Sequence, residues 1–431
     1  MLALVVLLLP LAARAIIIGD GYSIIHVETK SDEEAQYLQN IMTAFSKHDC
    51  ELDLVSHSFS SGSYAAQILL SPRVKRQVSM ELKQRGIEWT TLTNDAIKLV
   101  EEEAEWRDQR QNGTIFDSFL KLEEIENYLN QVQARHPDLV KLYHRGATHE
   151  GRSLTFVQIG TCVDCPAIFI EAGIHAREWI SPAVALNIID QLVNNYANNA
   201  YVSGLTWYVL PITNPDGYVH TQAFKKFRLW RKNKRPPVRR EVCSGVDLNR
   251  NFGYDWGSAG GCSSHLPADI TYRGPYAASE PETRAVMEFV EERANKIQAY
   301  VALHSYGQLL LYLCPPNYTR KTQTNCLKKG DRVVQIAEKA AKAIKKNSGE
   351  YYQAGPGHQV LYYACGTSDM WARYEKGIQY TYTIELRPAM SKGGFIIKPS
   401  QIIPTSSEIW AAFTVIADEL LQKVSDLTEP Y

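Results

Sequence analysis

The chain has 431 residues, 45% of them hydrophobic and 22% charged, with a formal net charge of −1. Such a length holds more than one core. The composition is that of a globular protein rather than a disordered or fibrous one, and the near-neutral balance gives no reason to expect nucleic acid as the main partner. Residues 1–15 carry an apolar run that ends in Ala13-Arg14-Ala15, a small-x-small pattern. They read as a secretory signal peptide, although a basic start is missing. That run is too short to span a bilayer and no later stretch is long enough, so no membrane partner is expected.

In chain order, residues 22–28 alternate as a strand and 32–45 read as a helix capped by Ser31. Strands follow at 51–58 and 64–70, a helix at 72–85 and a strand at 87–92. This β-α-β-β-α-β order predicts a small ferredoxin-like α+β domain over residues 16–93. Residues 94–110 form a charged helical segment with Glu101, Glu102, Glu103 and Glu105, for which a solvated face is the plain reading. Its end, with Arg107 and Arg110, offers exposed basic residues to a trypsin-like protease. Residues 111–431 alternate helices (121–134, 182–195, 280–296, 331–346, 408–424) with apolar strands (153–160, 167–172, 206–211, 299–304, 379–386). That is the pattern of an α/β domain, a mixed sheet sandwiched by helices.

Secretion permits disulfides. The eight cysteines are Cys50, Cys162, Cys165, Cys243, Cys262, Cys314, Cys326 and Cys365. Cys162 and Cys165 lack a second Cys-x-x-Cys and read as a local structural bridge. Asn112 and Asn317 open glycosylation sequons.

The chemistry concentrates where strands end. His175-Ala-Arg-Glu178 follows the apolar run 167–172, and the strand at 299–304 ends on His304. Two histidines and a glutamate at one sheet edge make a catalytic zinc site, with one position left open. The strand at 379–386 carries Glu385, a charge that is costly there unless it works or is paired. A general base is one reading of it, and a pair with Arg387 is the plainer one. Between these strands lies a basic stretch, of which Lys225, Lys226, Lys234, Arg235, Arg239 and Arg240 read as a solvated loop. Asn249 and Arg250 then set an amide beside a guanidinium, a combination suited to a carboxylate.

His175-x-x-Glu178, Asn214-Pro-Asp-Gly-Tyr, Arg228-Leu-Trp-Arg-Lys, Asp247-Leu-Asn-Arg-Asn, His304-Ser-Tyr-Gly-Gln and Thr383-Ile-Glu385-Leu-Arg occur in that order. The series resembles the metallocarboxypeptidases of the pancreatic A/B type over nearly the whole chain. The resemblance implies one zinc ion on His175, Glu178 and His304, and Glu385 as general base. It makes Arg231 the group that steadies the oxyanion, with Asp247 orienting a zinc histidine. Asn249 and Arg250 would grip the free C-terminal carboxylate of a peptide or protein substrate. Arg177 and Tyr306 would be secondary substrate contacts. Tyr362 would close over the substrate, with Tyr363 as the competing candidate.

The resemblance also bears on specificity. Asp369, seven places after Tyr362, falls at the floor of the side-chain pocket, and with Gly357 it implies preference for C-terminal lysine or arginine. Pro315, where basic-specific enzymes carry a small residue, departs from that pattern, as does one extra residue between Trp371 and Tyr374. An A-type preference for apolar ends is the alternative. The small domain would be an inhibitory pro-segment, released by a cut after Arg110 or Arg107. Cys243 and Cys262 match a family disulfide. The pairing of Cys314, Cys326 and Cys365 stays open, and Cys50 has no evident partner. A secreted monomeric zymogen is expected. A catalytically dead scaffold and a polyanion-binding surface over 225–240 are the readings from other classes.

Overall fold

The computed structural model describes residues 21–46, 52–60, 63–108, 114–162, 164–194, 200–237, 244–258, 262–314, 330–389 and 394–428. Their strands form two separate sheets. The first is built from β1 (Ser23–Glu28), β2 (Leu52–Ser60), β3 (Ser63–Leu70) and β4 (Trp89–Thr93), in the order β2-β3-β1-β4 with antiparallel pairs. Helices α1 (Asp32–Ser46) and α2 (Pro72–Gln84) complete the ferredoxin-like βαββαβ order. Alternation along β1 explains the packing. Ile25 and Val27 face the helices, meeting Leu38 of α1 and Val78 and Leu82 of α2, while Ile24 on the other face joins a separate cluster with Leu229, Tyr306 and Phe395. Ser71 accepts the N–H of Val74 to cap α2, and Pro72 takes the first turn, where its missing N–H costs nothing. Helix α3 (Ala96–Asp108) buries Ala96, Val100 and Glu103, a 4–3 spacing that marks one helical face.

The second sheet has eight strands: β5 (Val140–Arg145), β6 (Leu154–Ile159), β7 (Ala167–Ala172), β8 (Thr206–Leu210), β9 (Ile297–Gly307), β10 (Leu309–Tyr312), β11 (Gln353–Pro356) and β12 (Tyr380–Ala389). Their order is β11-β10-β12-β9-β7-β8-β6-β5. The centre, β12-β9-β7-β8, is parallel; β6 and β5 on one flank and β10 on the other pair antiparallel. Every residue of β7 is buried, as expected for a parallel strand covered on both faces. One face carries α4 (Leu122–Arg135), α5 (Ile180–Asn194), α9 (Arg332–Ser348) and α12 (Ile402–Thr428). The other carries α8 (Pro281–Glu291) and α11 (Ser368–Tyr374). Three shorter helices, α6 (Ala200–Ser203), α7 (Pro215–Ala223) and α10 (Gly357–Val360), lie in the connections.

The expected mixed sheet between helices is therefore present, and the five expected strands fall on β6, β7, β8, β9 and β12. Strands β5, β10 and β11 were not expected. Among the described residues, no helix is long and apolar enough to cross a membrane. The parallel centre matters for function. It brings the ends of β7, β9 and β12 to one edge, where open α/β sheets place ligands. In the β9–β12 register Glu385 stands opposite His304.

Candidate active site

Beyond β7 the chain turns through Gly173, whose φ of 63° is a conformation that glycine adopts without strain. His175 and Glu178 follow. His175 Nδ1 is 2.8 Å from Glu178 Oε1, His304 Nδ1 is 3.2 Å from Glu178 Oε2, and the two Nδ1 atoms are 3.1 Å apart. All three side chains are buried. The far nitrogen of His175, Nε2, lies 3.2 Å from Asp247 Oδ1. A carboxylate there accepts a hydrogen bond from Nε2–H, which keeps the proton on Nε2 and leaves the Nδ1 lone pair facing the cluster. Two imidazole lone pairs and a carboxylate aimed at one point need a positive charge between them. Burial works against charge on His304, yet Glu178 outweighs it and pushes His304 up to about 9. The donor set, with ligand atoms within 4.8 Å of one another, fits a divalent metal ion.

Asp247 does further work locally. It caps the 3-10 turn Leu248–Arg250 by accepting the N–H of Asn249 at 3.0 Å. It also accepts from Arg231 Nε at 3.0 Å and pairs with Nη2 at 2.9 Å, which holds Arg231 Nη1 4.0 Å from Glu178 Oε1. Glu385 faces the same space. Burial and the neighbouring Glu178 push its carboxyl up to about 7, against the pull of His304 and Arg231. The alternative partner, Arg387, is bonded to Glu408 and lies 3.4 Å from Glu350, so Glu385 is not its mate.

The remaining candidates line the same cavity, of about 220 Å³. Asn249 accepts from the N–H of Ser368 at 2.9 Å, which fixes the amide. Arg250 donates to Asn249 O at 2.7 Å and lies 3.4 Å from the Tyr362 hydroxyl; its buried Nε has no partner among the described residues. Tyr363 donates instead to Asp255 at 2.5 Å. Arg177 stacks on Phe395. Asp369, in the first turn of α11, accepts from Thr367 Oγ1 at 2.5 Å, Met370 N at 2.8 Å and Thr383 Oγ1 at 2.8 Å. Gly357 leaves room in the wall, since a Cβ there would meet only Leu311, at 3.9 Å. Pro315 lies outside the described residues.

The small domain touches this site directly. Tyr306 donates to Gln67 of β3 at 2.7 Å. Glu103 of α3 pairs with Arg228 through both oxygens, one at 2.8 Å, and Arg228 lies over Trp179 at 3.6 Å. The solvated face expected for the 94–110 helix is thus wrong at Glu103, a buried carboxylate with a buried cation. The solvated-loop reading fails at Arg235, which pairs with buried Glu280 at 2.8 Å, and at half-buried Lys234. It holds for Lys225, exposed beside Glu101. Arg239 and Arg240 lie outside the described residues.

The disulfide expectation needs correction. Cys262 is bonded to Cys365, with Cα atoms 5.4 Å apart, and not to Cys243, which lies outside the described residues with Cys50 and Cys326. Cys162–Cys165 is the local bridge expected, and Cys314 is also disulfide-bonded. Sequence reasoning missed Glu171 on β7, which accepts from Tyr300 at 2.9 Å and Ser368 at 2.6 Å and so anchors the start of α11. The signal that singled out Glu385, a charge inside an apolar strand, was equally present there.

A family model described as zinc carboxypeptidase matches residues 125–412. Carboxypeptidase A2 of Rattus norvegicus is 34% identical over 80% of this chain and 81% of its own length. Carboxypeptidase B of Canis lupus familiaris is 33% identical over 94% of each. The crystal structure of thrombin activatable fibrinolysis inhibitor aligns with a TM-score of 0.79 at 28% identity, covering 94% of this chain and 100% of that one. Carboxypeptidase A from Helicoverpa armigera aligns at 0.82 and 27% identity, covering 94% and 98%.

Proposed function

This chain belongs to the zinc carboxypeptidase family, and on that premise we propose that it is the secreted zymogen of an exopeptidase for C-terminal lysine and arginine. It is a hydrolase that acts on peptide C-termini; the zymogen state and the specificity are our reading. The observation that carries the reading is one cavity in which the His175–Glu178–His304 cluster, Glu385, Arg250 and Asp369 all take part.

His175, Glu178 and His304 would hold the zinc ion, which when bound would supply a Lewis acid and lower the pKa of water toward neutral pH. Glu385 takes the proton of the attacking water and returns it to the leaving amine. Arg231, aimed by Asp247, donates to the scissile carbonyl oxygen as charge grows there, a contribution of about 3–4 kcal/mol for one good donor. Asn249 and Arg250 hold the terminal carboxylate. An internal peptide bond brings no carboxylate and would leave the buried guanidinium unmatched, which restricts the enzyme to chain ends. Tyr362 closes over the bound residue, with Arg177 and Tyr306 contacting the chain before it. Asp369 meets the basic side chain.

The contacts of Gln67 in the small domain and of Glu103 in the helix that follows it support an inhibitory role for this N-terminal part, ended by cleavage after Arg110 or Arg107 by a trypsin-like protease. The signal-like residues 1–15 and the disulfides support secretion. The freed enzyme works as a monomer. The test is hydrolysis of hippuryl-Arg and hippuryl-Phe before and after trypsin, with and without a zinc chelator. Chelator-sensitive cleavage of the Arg substrate that rises after trypsin is expected. Cleavage of the Phe substrate alone would remove Asp369 from the argument and assign apolar specificity; full activity before trypsin would remove the zymogen.

A further inference from the structure

The cavity is electrically mixed. Its lining carries three arginines, Arg177, Arg231 and Arg250, and, besides Glu178 and Glu385, two further carboxylates, Asp369 and Asp255. Asp255 sits in the loop after Arg250 at φ 57°, a left-handed conformation unusual for any residue with a side chain and tolerated by aspartate better than by most. Its Oδ2 accepts from the Tyr363 hydroxyl at 2.5 Å, and Oδ1 accepts from Ser258. Among the described residues it has no ion-pair partner, and the recorded partners of Asp369 are neutral. Two carboxylates thus line one cavity with neutral donors around them, and Tyr254, next to Asp255 in the chain, stands ring to ring with Tyr374 of the Asp369 helix at 4.7 Å. A carboxylate has about four lone-pair sites, so each retains capacity for a charged donor.

We propose that Asp255 is a second specificity-determining residue: it accepts from one side of the guanidinium or ammonium group of a C-terminal arginine or lysine whose other side meets Asp369. This rests on the basic-specificity reading above. A flat guanidinium with donors on two edges suits two carboxylates better than one. The conformation at Asp255 is consistent with a placement kept for use, because strain of this kind gathers at ligand sites.

The test compares kcat/KM for hippuryl-Arg, hippuryl-Lys and hippuryl-Phe in the trypsin-activated, zinc-loaded enzyme and in Asp255→Asn, Asp255→Gly, Tyr363→Phe and Asp369→Asn. Glycine suits the backbone at residue 255, so the second variant keeps the test decisive if the first folds poorly. Removing the Asp255 carboxylate is expected to lower the Arg-to-Phe ratio about tenfold, the size of one lost charge-assisted hydrogen bond. Tyr363→Phe should hold that ratio within about twofold, since Asp255 keeps its charge. Equal drops in the Tyr363 and Asp255 variants would mean that Asp255 only braces the tyrosine loop, and would overturn the proposal. So would an unchanged ratio in both Asp255 variants while Asp369→Asn collapses it, an outcome that leaves the basic-specificity reading standing. A wild-type enzyme that prefers hippuryl-Phe would end that reading and the proposal with it.

Discussion

Among the described residues, two places bring histidine and glutamate ligand atoms within 4.8 Å of one another: His175, Glu178 and His304, and, between the β5–β6 connection and the start of α8, His149, Glu280 and Glu282. Residue type and proximity do not separate them; their hydrogen bonds do. In the second group Glu280 already receives His149 at 2.9 Å, Asn233 at 2.8 Å, Arg235 at 2.8 Å and Ser279 at 2.7 Å. Its carboxylate is filled by donors from the β5–β6 connection, the 233–235 segment and the start of α8, and it ties them together. In the first group the outward nitrogen of His175 is matched by Asp247, and Glu178 receives one backbone donor, the N–H of Ser305 at 3.2 Å, so most of the inward lone pairs stay open toward one another. Competence to bind a metal lies in which lone pairs the fold leaves open.

The sharpest way to break this comparison is to remove a ligand from each group. His304→Ala or Glu178→Gln should empty the zinc site and lower hydrolysis at least about 10³-fold, by metal analysis and kcat/KM. Glu280→Ala should leave the zinc content at one per chain and instead cost about 3 kcal/mol of stability in denaturant unfolding, because Arg235 and His149 lose their buried counter-charge. Zinc loss in the Glu280 variant would erase the distinction.

A finer test uses pH. Burial pushes Glu282 up to about 7 from an ordinary 4.5, and one of its oxygens has no partner among the described residues. The folded protein keeps this proton while the unfolded chain releases it. The group therefore does not lower stability below about pH 4.5, and it weakens the fold progressively as pH rises to 7. Glu282→Gln should flatten that decline and raise stability at pH 8 by about 1–3 kcal/mol, by urea midpoints across the range. A parallel decline in both proteins would assign the pH dependence to other groups.

The two groups also show what the sequence makes legible. His175, Glu178, His304 and Glu385 could be found because apolar strands end on them, and strand ends at one sheet edge meet in space. His149, Glu280 and Glu282 carry no such mark, since their meeting depends on how three connections pack. Interior strands β7, β9 and β12 read clearly as apolar runs. Strands β10 and β11 did not: each is four residues long, and β11, Gln353–Pro356 at the sheet edge, contains Gly355 and Pro356. Asp255 was invisible because its significance lies in a backbone angle. Cys262 and Cys365 stand 103 residues apart, and spacing alone does not give connectivity.

That bridge has a mechanical consequence. Cys365 lies three residues beyond Tyr362, and Cys262 closes the loop that carries Asp255. Phe252 N donates to Gly366 O at 2.9 Å and Gly366 N to Tyr254 O at 3.2 Å, so the two loops are laced together beside the bond. The pocket walls form a clamp joined by a covalent pin, while the metal ligands and Glu385 are fixed by the sheet beneath. Loosening the pin should change the grip on the side chain before it changes the cutting. Cys262→Ser/Cys365→Ser is expected to raise KM for hippuryl-Arg with little change in kcat or bound zinc. In this enzyme the redox state of one bond would then govern what is chosen, and the sheet would govern whether anything is cut.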